Sequence, residues 1–175
     1  MKKSFSIIEL LIVMTAVIFL FTLTIPRVSV MNRFVLQNEI DKLLTTFSFL
    51  QQRAVASNKL QDIVFNLNDN SYSYNLRNDK RFVHKLPRII KFGFLPNVLG
   101  PPAKPKKKIV DPVSFKKINE KEYQVLFFTD GRVYPGTIYL VDIDQKNMMA
   151  LTCPVSQISY IRKYRYDSGR WACLN

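Results

Sequence analysis

The residue types that usually carry enzyme chemistry are sparse in this sequence. His84 is the only histidine, so neither a histidine-rich metal site nor a Ser-His-Asp arrangement has independent support. Asp142 and Asp144 alternate along one stretch of the chain, but no loop of oxygen ligands of the calcium-binding kind surrounds them. The sequence also lacks a glycine-rich phosphate loop and a dinucleotide fingerprint. We therefore predict that the protein is not an enzyme and binds neither a cofactor nor a metal.

Glu9 is the acidic residue whose position most needs a physical explanation. It is the single charge in the apolar run 5–25, which contains neither Gly nor Pro. At about 1.5 Å per residue, a helix of this length spans roughly the 30 Å core of a bilayer. A secretory signal peptide has a shorter apolar region and a small-x-small cleavage site. The run therefore predicts a membrane-spanning helix, in which Glu9 either has a function or snorkels to the interface.

The chain as a whole carries a large excess of positive charge. Lys and Arg number 26 against 13 Asp and Glu, so the net charge is +13. Such an excess favours anionic partners such as lipid head groups, nucleic acid or an acidic protein. Near the C-terminus the cations alternate with aromatic residues, a mixture that suits single-stranded nucleic acid but is equally typical of a solvated basic face beside an acidic protein or lipid. The candidate DNA-binding residues are Arg162, Lys163, Arg165, Arg170 and Trp171.

The periodicity of the apolar residues indicates the elements that position these groups. Pro26 interrupts the helix, and apolar residues then recur at alternating spacings of four and three, which predicts an amphipathic continuation of the helix over 26–58. Beyond it, residues 59–175 show alternation and turn signals, so we predict an α+β fold in which a long N-terminal helix packs on an antiparallel β-rich domain. The segment 97–112 predicts an exposed loop. Strands are predicted at 62–67, 72–76, 87–92, 123–128, 137–143, 148–152 and 157–166.

The opening K-K-S-F-S-I-I-E-L-L resembles the N-terminus of type IV prepilins and type II secretion pseudoprepilins. In that family a basic leader ends in a small residue, and an aromatic residue, a Glu four positions later and an apolar helix follow. The resemblance implies that prepilin peptidase removes residues 1–4 by cleavage between Ser4 and Phe5, and that Phe5 is N-methylated. It implies that Glu9 acts in filament assembly and that Pro26 bends the helix. Ser4 departs from the family, which usually has Gly there.

A second resemblance narrows the family. F-F-T-D-G-R-V-Y-P-G-T-I-Y-L, from Phe127 to Leu140, is similar to a segment of GspH/FimT-type minor pseudopilins, and the helix end at residues 52–58 is similar too. The resemblance implies a minor structural subunit that initiates or caps a pseudopilus or type IV pilus for secretion, pilus assembly or DNA uptake. Its partners would be other pilins or pseudopilins, the peptidase and the inner membrane, with the C-terminal domain in the periplasm. The alternative is a membrane-tethered competence pilin that binds DNA.

Cys153 and Cys173 complete the set of candidate residues. In the periplasm that the resemblance implies, a disulfide is the expected state, as in the C-terminal loop of many pilins. Closing a loop of this length would stabilise the fold by about 3 kcal/mol in the chain-entropy model. The alternative is a pair of buried thiols.

Overall fold

The chain divides into two compact units, residues 1–31 and 32–175. The structure, a computed structural model, describes residues 6–24, 28–76, 80–100, 105–154 and 160–174. Ser4, Phe5 and Pro26, to which the sequence assigns processing and the helix bend, lie outside the described residues. The helices are α1 (Ile7–Thr24) and α2 (Val28–Ser57). The strands are β1 (Gln61–Asn66), β2 (Ser71–Asn75), β3 (Arg81–Lys85), β4 (Ile90–Phe92), β5 (Lys116–Asn119), β6 (Glu122–Phe127), β7 (Gly136–Asp142), β8 (Met148–Cys153), β9 (Arg162–Asp167) and β10 (Arg170–Cys173).

The first unit contains α1 and the opening residues of α2. Nearly every residue of α1 is apolar, and its residues up to position 20 are exposed. None of the helices in the described ranges combines the length and the hydropathy that a bilayer crossing requires. Thr15 keeps its hydroxyl within the helix by donating to the carbonyl oxygens of Leu11 and Ile12, so this polar side chain needs no outside partner.

In the second unit, the apolar face of α2 forms the centre of the core, as its periodicity predicts. Successive apolar positions on the inward face, from Leu36 to Ala54, are at most 1% exposed. The helix ends in a Schellman motif, because Asn58 has a φ of 49° and the N–H groups of Asn58 and Lys59 donate to the carbonyls of Val55 and Ala54. Asparagine tolerates this left-handed conformation better than most residues, which explains why the helix stops here.

Two antiparallel sheets complete the second unit. The first has the strand order β3-β2-β1-β6-β5 and the second β10-β9-β8-β7-β4. Both sheets contribute buried side chains to the cluster around α2, among them Ile63 and Phe127 from the first sheet and Ile138 and Leu151 from the second. The predicted α+β class, with a helix packed on antiparallel sheets, is confirmed.

Most predicted strands are present with small shifts, but three edge strands, β3, β5 and β10, were missed. Within the segment 87–92 the strand is limited to β4, and it is preceded by β3, which was not predicted. The residues of β5, the edge of the first sheet, are all exposed, and the strand begins with Lys116 and Lys117. The segment 97–112 is not simply an exposed loop, because Val98 is buried and Leu99 forms a β-bridge with Lys108. Val98 and Ile109, from the described parts of this segment, pack on the outer face of the second sheet.

Phe47 occupies the middle of the core and should dominate its stability. Its ring contacts those of Phe65, Phe115 and Phe127, with the Phe127 ring at a centroid distance of 5.3 Å in an edge-to-face arrangement. It is fully buried, so removing it would leave a cavity between helix and sheets.

We expect Phe47→Ala to lower the free energy of unfolding by about 3–5 kcal/mol. Phe49→Ala is the matched control, since Phe49 lies on the same helix but is 44% exposed; we expect it to cost about 1 kcal/mol. Chemical denaturation of both variants measures the difference. Equal losses for the two variants would contradict the central role of Phe47.

Candidate assembly helix and basic hairpin

Glu9 lies in the first turn of α1 and is exposed. The apolar side chains around it are exposed as well, including Ile7 (80%), Ile8 (69%) and Ile12 (62%). A carboxylate near a helix N-terminus interacts favourably with the helix dipole. The exposed apolar surface of α1 surrounds this carboxylate, so any partner that covers the helix must also accommodate a charge.

The D-G-R turn that resembles the family motif is fastened to α2. Gly131 has a φ of 82°, and its carbonyl oxygen accepts a hydrogen bond of 2.6 Å from Gln51 Nε2. Asp130 accepts from the backbone N–H of Arg132 and from its guanidinium. These bonds, the backbone bond first, lower the pKa of the Asp130 carboxyl. The turn thus holds the connection between β6 and β7 against the helix.

The C-terminal basic segment forms a tight hairpin of β9 and β10. Ser168 and Gly169 both have positive φ values, 48° and 83°, as a two-residue type I′ turn requires. In the hairpin register Arg170 lies opposite Asp167 and Trp171 lies opposite Tyr166. This register decides which face of the sheet each side chain shares with its neighbours.

The five candidate DNA-binding residues are divided between the two faces of the sheet. Because side chains alternate along a strand and directly paired residues share a face, Arg162 and Trp171 lie on the outer face. Lys163, Arg165 and Arg170 lie on the opposite face. The structure therefore does not bring the five residues together as one patch.

On the outer face, Arg162 and Trp171 join an aromatic cluster. The guanidinium of Arg162 lies 4.3 Å from the centroid of the Tyr160 ring, within cation–π range. Trp171 packs against Tyr166 with centroids 5.2 Å apart, and its Nε1–H donates to the carbonyl oxygen of Leu99 at 3.0 Å. Trp171 therefore joins the C-terminal hairpin to Leu99, which pairs with Lys108 in a β-bridge.

On the opposite face, Lys163 and Arg165 lie near carboxylates. Lys163 Nζ donates to Asp41 Oδ1 of α2 at 2.5 Å. Arg165 Nη2 lies 3.8 Å from Asp167 Oδ2, beyond the distance of a good hydrogen bond. Lys163 therefore helps to dock β9 on α2.

Sequence reasoning missed a polar interaction between α2 and the first sheet. Glu39 is only 2% exposed, and its two oxygens lie 2.6 Å from Lys42 Nζ and 2.7 Å from His84 Nε2. His84 is on β3, and the centroid of its ring lies 5.0 Å from that of the Tyr72 ring in a tilted arrangement. The sequence contained a sign of this interaction, because position 39 falls beside Leu36 on the inward face of the helix, where a buried acid needs partners.

Asp142 and Asp144 have structural partners. Asp142 is fully buried, and its carboxylate accepts from the backbone N–H groups of Lys146 and Asn147 and from Asn147 Nδ2. Asp144 Oδ2 accepts from Asn32 Nδ2 at 2.9 Å. Across the described ranges no three His, Cys, Asp or Glu side chains are grouped so as to hold a metal ion.

The structure does not contain the predicted disulfide, because Cys153 and Cys173 are both free thiols. Cys153 ends β8 and Cys173 ends β10, with β9 between these strands. Neighbouring strands are about 4.8 Å apart, so strands separated by a third lie about 10 Å apart. The Cα atoms of a disulfide are rarely separated by more than about 7 Å. Burial raises the pKa of the Cys153 thiol to about 12, whereas Cys173 is exposed.

The fold is similar to that of one solved pseudopilin. The structure of the minor pseudopilin EpsH from the type 2 secretion system of Vibrio cholerae superposes with a TM-score of 0.46 at 12% sequence identity, over 73% of this chain and 94% of that one. No protein-family model matches the sequence, and no curated protein matches it.

The strand order predicts that the two cysteines differ in reactivity. In the native chain we expect one thiol, that of Cys173, to react rapidly with a thiol reagent. Cys153 should react only after unfolding, because it is buried and protonated. Thiol titration before and after denaturation, with Cys173→Ser as the control that removes the rapid phase, measures this. If no thiol reacts even in the denatured chain until a reductant is added, the cysteines are bridged.

Proposed function

We propose that this chain is a minor structural subunit of the pilin and pseudopilin class rather than an enzyme, and that it initiates or caps a periplasmic pseudopilus or type IV pilus. Residues 5–25 would anchor the chain in the inner membrane before assembly, with the second unit in the periplasm. The filament would serve protein secretion, pilus assembly or DNA uptake. Prepilin peptidase would process the chain between Ser4 and Phe5.

The observation that carries the proposal is the exposed apolar surface of α1 around Glu9. Consecutive residues of this helix point in every direction and are still exposed, for example Leu10, Leu11 and Val13 at 55–59%. A helix that is apolar all round is stable only when lipid or other protein surrounds it. A filament core built from equivalent helices of neighbouring subunits would supply that surrounding.

Assembly would also satisfy the Glu9 carboxylate. After cleavage the new α-amino group of Phe5 lies one helical turn from Glu9 in the sequence, and in a filament it could meet the Glu9 of a neighbouring copy. A carboxylate and an ammonium that enter an apolar environment as a pair cost much less than either charge alone. This pairing explains why an acid is present in an otherwise apolar helix.

The outward face of α2 offers a second surface for neighbouring subunits. Phe34 is 67% exposed, and Val55 is 52% exposed near the other end of the helix. Large apolar residues at this exposure are typical of contact surfaces when several lie along one element. The same helix therefore combines an inward face that forms the core with an outward face available for packing.

We expect Glu9→Ala to leave the chain in the membrane fraction but to reduce its content in sheared filaments more than about tenfold, because the partner ammonium would be left unpaired in an apolar environment. Immunoblotting of both fractions measures the ratio. Thr15→Ala is the matched control, since Thr15 is a polar α1 residue whose hydroxyl bonds within its own helix.

Intact-mass analysis of the same samples separates processing from assembly. The mass should correspond to a mature chain that begins at methylated Phe5, in the wild type and in the variant. A chain that retains Met1 in peptidase-positive cells would overturn the processing step, and normal incorporation of Glu9→Ala would overturn the assembly role.

A second candidate function is DNA binding by a membrane-tethered competence pilin. The observation that favours it is the arrangement of side chains on the outer face of the second sheet. There the Arg162 guanidinium lies over the Tyr160 ring, and Trp171 is hydrogen-bonded to Leu99, the β-bridge partner of Lys108. Cations beside aromatic rings suit single-stranded nucleic acid. Of the five residues that the sequence suggests, only Arg162 and Trp171 share this face.

If this face binds single-stranded DNA, Arg162→Gln should reduce the salt dependence of binding by about 0.7 in slope, the amount for one phosphate contact. Trp171→Leu should weaken binding with nearly the same slope, since stacking releases few ions. Lys163→Gln is the control and should behave like the wild type, because Lys163 pairs with Asp41 on the opposite face. Fluorescence anisotropy of the full chain in detergent at several salt concentrations tests this; equal slopes for all three variants would exclude the face.

A further inference from the structure

The second unit contains a small cationic pocket that none of the candidate functions uses. It has a volume of about 130 Å³ and is lined mainly by Arg33, Lys146, Asn147, Arg165 and Ser168, beside Leu95, Tyr166 and Asp167. We propose that this pocket binds the phosphate group of an anionic phospholipid head group. The chemistry it recognises is a single phosphate ester.

The walls of the pocket are held in place by buried polar contacts. Asn32, which is 4% exposed, donates to Asp144 and so joins α2 to the turn between β7 and β8. The buried carboxylate of Asp142 binds the backbone of Lys146 and Asn147 in the same turn. The pocket is therefore built by fixed elements before any ligand arrives, which lowers the entropic cost of binding.

The charge of the lining fits a phosphate. Three cationic side chains, those of Arg33, Lys146 and Arg165, face one carboxylate, that of Asp167. Arg165 Nη2 and Asp167 Oδ2 are 3.8 Å apart, so this carboxylate does not use the full hydrogen-bonding capacity of the guanidinium. Within the described part of the chain, Arg165 Nε is buried without a hydrogen-bond partner. A buried N–H of this kind is costly unless a ligand or a water accepts from it.

The position of the pocket along the chain favours a lipid as the source of the phosphate. Arg33 is two residues beyond Met31, where the first unit ends, so the pocket is tethered to the segment that contains the apolar helix. This assignment rests on the proposed function, in which that helix is anchored in the inner membrane. A small pocket accepts one phosphate, whereas a nucleic acid would need a groove that follows its backbone.

Native mass spectrometry of the full chain in detergent tests the proposal, with phosphatidylglycerol and phosphatidylcholine of identical acyl chains as probes. We expect the chain to retain phosphatidylglycerol selectively. The double variant Arg33→Gln with Lys146→Gln should weaken this binding roughly 30-fold, since each cation near a lipid surface contributes about a factor of five. The matched control, Lys116→Gln with Lys117→Gln, removes the same charge from the edge of the other sheet and should retain wild-type affinity.

Four outcomes would overturn the proposal. Equal retention of both lipids would mean that the shared acyl chains drive binding. Equal losses for the two double variants would mean that binding is diffuse charge attraction. Binding of inorganic phosphate without preference for phosphatidylglycerol would assign the pocket to a soluble anion. Binding of an oligonucleotide that only the Arg33 and Lys146 variant loses would assign it to nucleic acid. Filament incorporation is measured separately and tests the proposed assembly function. A failure of lipid binding can therefore be distinguished from a failure of assembly.

Discussion

The contact between one face of α2 and two separate sheets is the interaction on which the second unit depends. The strands of the two sheets form independent ladders, and both sheets bury their inner faces against the same helix. Phe47 lies at the centre of this contact and touches rings from three other segments. Aromatic rings bury a large apolar area and add specific edge-to-face contacts, so this single helix face determines how both sheets are placed.

The helix face was readable from the sequence because burial imposes a period of 3.6 residues on apolar positions. The central strands were readable for the equivalent reason, a period of two. Edge strands escape this logic: in β5 no side chain needs to be apolar, and Lys116 and Lys117 open the strand. The end of α2 at Asn58 was also predictable, since a residue that tolerates positive φ marks such a stop.

The candidate sites were only partly readable, because a linear sequence does not show the face on which a side chain lies. The cations from Arg162 to Arg170 look like one cluster in the sequence, yet the hairpin register divides them between opposite faces. The cysteines look like natural partners until the strand order places β9 between them. Conversely, Arg33 and Lys146 are far apart in the sequence and meet because Asn32 and Asp144 join their elements.

The lysine-bearing edge of the first sheet affects how two copies of this chain could meet. An exposed edge strand offers unpaired backbone groups to any other strand of suitable length. Here the exposed side chains of β5 begin with Lys116 and Lys117, so two copies that approached edge to edge would bring like charges together. The lysines of β5 therefore disfavour the fusion of two copies into a continuous sheet through this edge.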